Sequence, residues 1–166
     1  MNENGWRYKI RKNRILKAVR QNRRQPVFPK FSSIQRIGCI GSNPVNSAII
    51  FSKFNAGVLT NYLQFSAGKR PKGDESEVIF LSDLNFLGIP PRKLIKDFVD
   101  IPFDILINFS KGQQEAIDYI CASSVAKFKV GKLAYPAIYD LVINGEAMDD
   151  TEYLNEIIRT LNNFNN

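Results

Sequence analysis

The sequence predicts one three-layer α/β domain over residues 31–166, with a predominantly parallel sheet of five or six strands, preceded by a basic helical N-terminal arm over residues 1–30. Three observations predict it. From Ser33 onward, strand-like and helix-like segments alternate, the pattern of a sheet built with crossover helices. Two of the strand-like segments, around Ile105-Leu106-Ile107 and Leu141-Val142-Ile143, are continuous aliphatic runs, as strands buried on both faces are. Finally, ten of the 23 lysines and arginines lie in the first thirty residues against one acid, Glu3. That segment carries +9, and the remainder, with 13 bases and 15 acids, carries −2.

The arm has no proline or glycine between Arg7 and Arg24. Tyr8, Ile15, Leu16 and Val19 share roughly a 100° sector of a helical wheel, interrupted by Lys12. A helix is expected there, ended by Pro26 and Pro29. Residues 34–40 read as a first strand, and residues 44–57 as a helix with Pro44 in its first turn and Gly57 at its end. A second strand is expected over 62–66, a polar loop over 69–76 and a short third strand over 78–81. Then follow a helix over 91–99, a strand over 103–109, a helix over 113–124, strands over 126–130 and 139–143, and a closing helix over 151–164. Every predicted element of the sheet lies beyond Ser33, so the domain is expected to fold without the arm.

One internal echo stands out: Phe103-Asp-Ile-Leu-Ile-Asn108 against Tyr139-Asp-Leu-Val-Ile-Asn144. It places Asp104 and Asp140 at the amino edge of the sheet, and Asn108 and Asn144 at its carboxyl edge. Histidine is absent, which excludes every mechanism that uses imidazole as acid, base or ligand. Cys39 and Cys121 lie far apart and read as small buried apolar residues of a reducing compartment. No apolar run approaches the ~20 residues of a spanning helix, and no apolar h-region follows the basic start. A cytoplasmic location is therefore expected, with no metal site and no cofactor.

The stretch Phe103-Asp-Ile-Leu-Ile-Asn-Phe-Ser110, then a helix, then Ala126-Lys-Phe-Lys-Val-Gly131, resembles a family of small uncharacterised bacterial proteins with a basic N-terminal arm. In that family an FDLLIN strand, a helix and AKFKVG recur in this order. Asp83-Leu-Asn-Phe-Leu-Gly88 and Tyr139-Asp-Leu-Val-Ile143 are similar to its other landmarks, while residues 43–77 match poorly. The resemblance implies no activity. A fainter likeness links residues 103–131 to the nucleotide-type α/β domains of heptosyltransferases, whose Gly-Asp catalytic element has no counterpart here. Likeness of that kind implies construction and no chemistry.

In an open α/β sheet, ligands bind beyond the carboxyl ends of the strands, near a switch in strand order. Gly41, Ser42, Asn43, Asp83, Asn108 and Lys111 are the candidate ligand-binding residues placed there. Gly41-Ser-Asn-Pro44 and Ser110-Lys-Gly112 each lead into a predicted helix, whose free N–H groups suit a phosphate or carboxylate. Neither has the spacing of a Walker loop or of Gly-x-Gly-x-x-Gly, and helix caps explain both more simply. Asp83 is the one carboxylate expected at that edge, so paired acid–base chemistry has no second partner and Asp83 reads as a cap or turn acceptor. Lys127 and Lys129 alternate with Ala126, Phe128 and Val130, and read as the solvated face of an edge-like strand.

The arm is the segment that a solubilising role does not explain, because its bases come with Trp6, Tyr8, Ile10, Ile15, Leu16 and Val19. Arg7, Lys9, Arg11, Lys12, Arg14, Lys17, Arg20, Arg23 and Arg24 are the candidate nucleic-acid-binding residues. The expected function is non-enzymatic binding of structured RNA, with ribosomal RNA, the most abundant cytosolic polyanion, as the first partner to consider. The alternatives are an anionic membrane surface, with Trp6, Ile10 and Leu16 inserted, and a small enzyme or ligand sensor at the carboxyl edge of the sheet.

Overall fold

The computed structural model describes residues 5–164, apart from 43–46, 55–56, 73–77, 112–113, 133–137 and 146. Helix α1 (Trp6–Gln21) comes first, followed by β1 (Arg36–Gly41), α2 (Ser47–Lys53), β2 (Leu59–Ser66) and β3 (Ile79–Phe80). The second half runs α3 (Arg92–Val99), β4 (Ile105–Asn108), α4 (Glu115–Ser123), β5 (Lys129–Gly131), β6 (Leu141–Val142) and α5 (Asp150–Asn163). The six strands form one sheet in the order β3-β2-β1-β4-β5-β6, and every neighbouring pair is parallel. Strand order grows outward from β1 to β3 and then returns to place β4 on the other side of β1. Their carboxyl ends flank the topological switch point of a doubly wound sheet.

Alternation along the strands divides the core. Ile37 and Cys39 of β1 and Ile105 and Ile107 of β4 face Ile50 and Phe54 of α2 and Tyr153, Leu154, Ile157 and Leu161 of α5. Ile40 and Leu106 face the opposite way, against Ile15 of α1, Ile95, Phe98 and Val99 of α3 and Ile117, Ile120 and Cys121 of α4. Each fully buried aliphatic side chain contributes about 1.5–3 kcal/mol, and this continuous apolar burial is why the central strands must be parallel and covered on both faces. Both cysteines are free and buried, and burial raises both thiols.

The sequence echo marks one structural device used twice. Asp104, just before β4, donates its N–H to the Arg36 carbonyl at 2.9 Å, while its carboxylate accepts from the N–H groups of Gln35 and Arg36 at 2.9 and 3.0 Å. Asp140, just before β6, donates to the Lys129 carbonyl at 2.9 Å and accepts from the Lys129 N–H at 2.8 Å. Each aspartate thus satisfies the first backbone donors of the neighbouring strand. The aromatic residue before it lies over a glycine of that strand: a Cβ on Gly38 would meet the Phe103 ring at 2.7 Å, and one on Gly131 the Tyr139 ring at 2.7 Å.

Element limits differ from expectation where packing overrides local pattern. Strand β2 begins at Leu59 because β1 pairs with it from Arg36 onward, carrying the polar Thr60 and Asn61 into the ladder. Helix α2 starts at Ser47; Pro44, its expected first turn, lies outside the described residues. The helix ends at Lys53, short of the expected Gly57, which stands in the left-handed region at φ 98°. A larger correction concerns Lys127 and Lys129. β5 is an interior strand between β4 and β6, and Lys129 is only 2% exposed, because α4 and the chain after α1 cover that face. Only Lys127 keeps the solvated position, paired with Asp104 at 2.8 Å.

Candidate nucleic-acid interface

A helix forms over Trp6–Gln21 without a side-chain N-cap or an acid in its first turn, so its stability comes from tertiary packing. Ile15 is fully buried in the core, and Ala18 and Val19 pack beside it. Arg11 pairs with Glu115 of α4 at 3.4 Å. Asn22 donates from its side-chain amide to the Ala122 carbonyl at 3.1 Å and also to that of Ser124, serving two acceptors at the carboxyl end of α4. Arg24 grips Asp140 with two parallel bonds of 2.8 Å and also donates to the Lys127 carbonyl at 3.2 Å. Further on, the Val27 N–H donates to the Lys127 carbonyl at 3.1 Å. The arm is therefore seated on the domain from Arg11 to Val27.

This seating sorts the nine candidate bases into two groups. Arg11 and Arg24 are turned inward and paired. Arg7, Lys9, Lys12, Arg14, Lys17, Arg20 and Arg23 are exposed and form no ion pair among the described residues. Arg7 lies over the Trp6 ring at 5.5 Å. A helix of this length spans about 24 Å at 1.5 Å per residue, so six of these cations are displayed along that length and Arg23 follows just beyond its end.

The carboxyl edge of the sheet is built differently. Gly41 ends β1 in a buried position, and Ser42 accepts a bond from the Gln114 side chain at 3.3 Å. Asn108 ends β4, donates to the Tyr139 hydroxyl at 2.7 Å and accepts from the Ser110 N–H at 2.9 Å. Tyr139 in turn donates to Asp118 at 3.2 Å. Burial pushes the Asp118 carboxyl up to about 7, against the hydrogen bond from Tyr139 and with the help of nearby Glu115. Sequence reasoning missed Asp118 and Tyr139; the only signal was the echo that aligns Tyr139 with Phe103. Lys111 is exposed, and Asn43 lies outside the described residues.

Asp83 does not join this group. It follows β3, at the sheet edge three strands from β4, so at about 4.8 Å per strand it stands over 10 Å from Asn108. The turn-acceptor reading holds: its carboxylate accepts from the Phe80 N–H at 2.9 Å and from Arg70 at 3.0 and 3.3 Å. The Arg70 hydrogen bond holds the Asp83 carboxyl below its ordinary value, with the Phe80 amide adding to it against burial. Lys132, 3% exposed, is spent on the Phe109 carbonyl at 3.0 Å and the Tyr153 ring at 4.6 Å. Among the described residues no helix is long and apolar enough to cross a membrane, and no acid or thiol cluster has the arrangement of a metal site.

Residues 7–164 match the model of a family of unknown function (DUF6913), and the chain belongs to that family. No curated protein and no solved structure matches it.

Proposed function

We propose that this member of the family is a non-enzymatic binding protein that holds structured RNA on the outward face of α1. One observation carries the reading: within a single segment, Arg11 and Arg24 are consumed by acids of the domain, while seven other bases face solvent with no ion pair among the described residues. A helix anchored at Ile15 and Asn22 presents those charges without the ordering cost of a flexible tail, which suits the fixed phosphate spacing of folded RNA. Ribosomal RNA is the first RNA to test. The membrane reading is weaker, because Ile10 and Leu16 are half-buried and leave Trp6 as the one exposed residue of the three.

The test is fluorescence anisotropy with a labelled RNA hairpin over a range of salt, alongside co-sedimentation with anionic vesicles. Five to seven phosphate contacts on a duplex give a log–log slope of about −4.5 to −6. The combined variant Lys9→Glu, Arg14→Glu, Lys17→Glu and Arg20→Glu is expected to lose binding while keeping its melting temperature. A salt-independent affinity, or pelleting with vesicles without RNA binding, would overturn the proposal.

A further inference from the structure

Behind the seated arm lies a cavity of about 220 Å³ between the end of α1, α4 and β5, with Asn22, Arg24, Ala122, Lys129 and Asp140 in its walls. Lys129 reaches it from the sheet. It is 2% exposed, and its ammonium has no hydrogen bond or ion pair among the described residues. Asp140, the one acid in the walls, is already committed: both of its oxygens receive Arg24, and one also receives the Lys129 backbone N–H. The cavity thus holds two cations against one engaged anion. An ammonium so enclosed, with no acid of its own, is disfavoured relative to water and gains by losing its proton or by meeting an anion.

We infer that this cavity is a phosphate-binding site, with Lys129 as its uncommitted cation and the Arg24–Asp140 pair as its wall. A cavity needs only ~10–15 Å³ of such volume to hold one water, so the space admits a five-atom oxyanion together with solvent. A second cleft of about 610 Å³ shares Asn22 and Arg24 with it and brings Arg23, Arg92 and the Tyr119 ring to the mouth. The outer cleft has room for the organic part of a phosphomonoester whose phosphate sits inside. Burial, with Arg24 opposing the charge and Cys121 and Asp140 favouring it, lowers the Lys129 ammonium to about 7, so a bound dianion would draw a proton onto it. The inner cavity is independent of the RNA reading, since Lys129 lies behind α1 and none of the seven outward bases lines it; the outer cleft shares Arg23 with that reading.

Competitive labelling of lysines in the full chain with acetic anhydride, read by mass spectrometry, tests this with the native protein. Without ligand, Lys129 is expected to react as a low-pKa amine. At a pH below about 7, saturating inorganic phosphate at constant ionic strength should protect it about tenfold for each unit its pKa rises, leaving Lys9 and Lys17 unchanged. Stronger protection by adenosine 5′-monophosphate than by phosphate, with none by adenosine, would assign the outer cleft to an organic phosphomonoester. Equal protection would assign the site to the free ion. In parallel, phosphate should raise the melting temperature saturably in the native chain and not in Lys129→Met. Unchanged Lys129 labelling at saturating phosphate would overturn the inference, even if Lys129→Met failed to fold.

Discussion

The inward and outward sides of the arm, α1 and the residues just after it, carry the same residue types, arginine above all, and put them to opposite uses. Arg11 and Arg24 meet Glu115 and Asp140 and act as fasteners, while Arg14, Arg20 and Arg23, interleaved with them in sequence, meet only water. What separates the two sets is the acid opposite each base, contributed by α4 and by the residue before β6. The charge of a segment therefore says little about its role until the surface against which it folds is known. Here two of nine bases belong to the architecture and seven face solvent.

The largest effect that would break this comparison comes from deleting residues 1–30. Deletion removes Ile15 from the core and the Asn22 bonds from α4, and opens the face over Lys129. The truncated chain is expected to lose its cooperative thermal transition, followed by circular dichroism. A sharp melt would restore the arm as an appendage. Next, Ile15→Ala should lower stability by about 2–5 kcal/mol in denaturant titrations, as for other fully buried large-to-small changes, and leave RNA affinity unaltered.

The surface that receives α1 also predicts a pH dependence. The folded-state value of Asp118, about 7, lies above its ordinary value of 3.8, so the native state holds a proton that the unfolded chain releases. Its contribution is complete below about pH 4, declines as pH rises to about 7 and then levels off. Asp118→Asn should flatten that part of the stability–pH curve, measured by urea midpoints. A parallel curve would place the proton elsewhere.

Smaller still is the contrast between two neighbours. Arg24→Ala should cost about 1–3 kcal/mol, because it leaves Asp140 half-buried without its bidentate partner, while Arg23→Ala should stay within about 0.5 kcal/mol. On the RNA side, the single change Lys17→Ala should leave the melt untouched and reduce the salt slope by about 1. Equal stability losses at Arg23 and Arg24 would remove the distinction between the two faces.

The α/β class and the positions of the strands were legible because continuous aliphatic runs have few other uses, and the Phe103/Tyr139 echo located both aspartates at the amino edge of the sheet. The seating of the arm was legible only in part. Tyr8, Ile15 and Val19 mark an apolar sector, but Arg24 finds Asp140 116 positions away, and no local pattern encodes that meeting. Lys129 was misread for a related reason. Period-two alternation reports which residues share a face, and cannot tell whether water or another helix covers it. Asp83 and Asn108 were both correctly assigned to one edge, yet strand order, which local sequence does not carry, holds them apart.

The bonds from Asn22 to Ala122 and Ser124 join residues 100 and 102 positions apart. At a translation rate of about 5–20 residues per second, α1 is made some 5–20 seconds before the end of α4 exists to receive it. Throughout that interval its apolar sector lacks α4, and Arg11 and Arg24 lack the acids they pair with, so the nascent segment presents all nine bases beside an incompletely covered Ile15. Closing so long a loop is slow, and the docking of α1 is expected among the last steps of folding. The newborn chain is thus a stickier polycation than the finished protein, and completing the fold is what withdraws two of its charges.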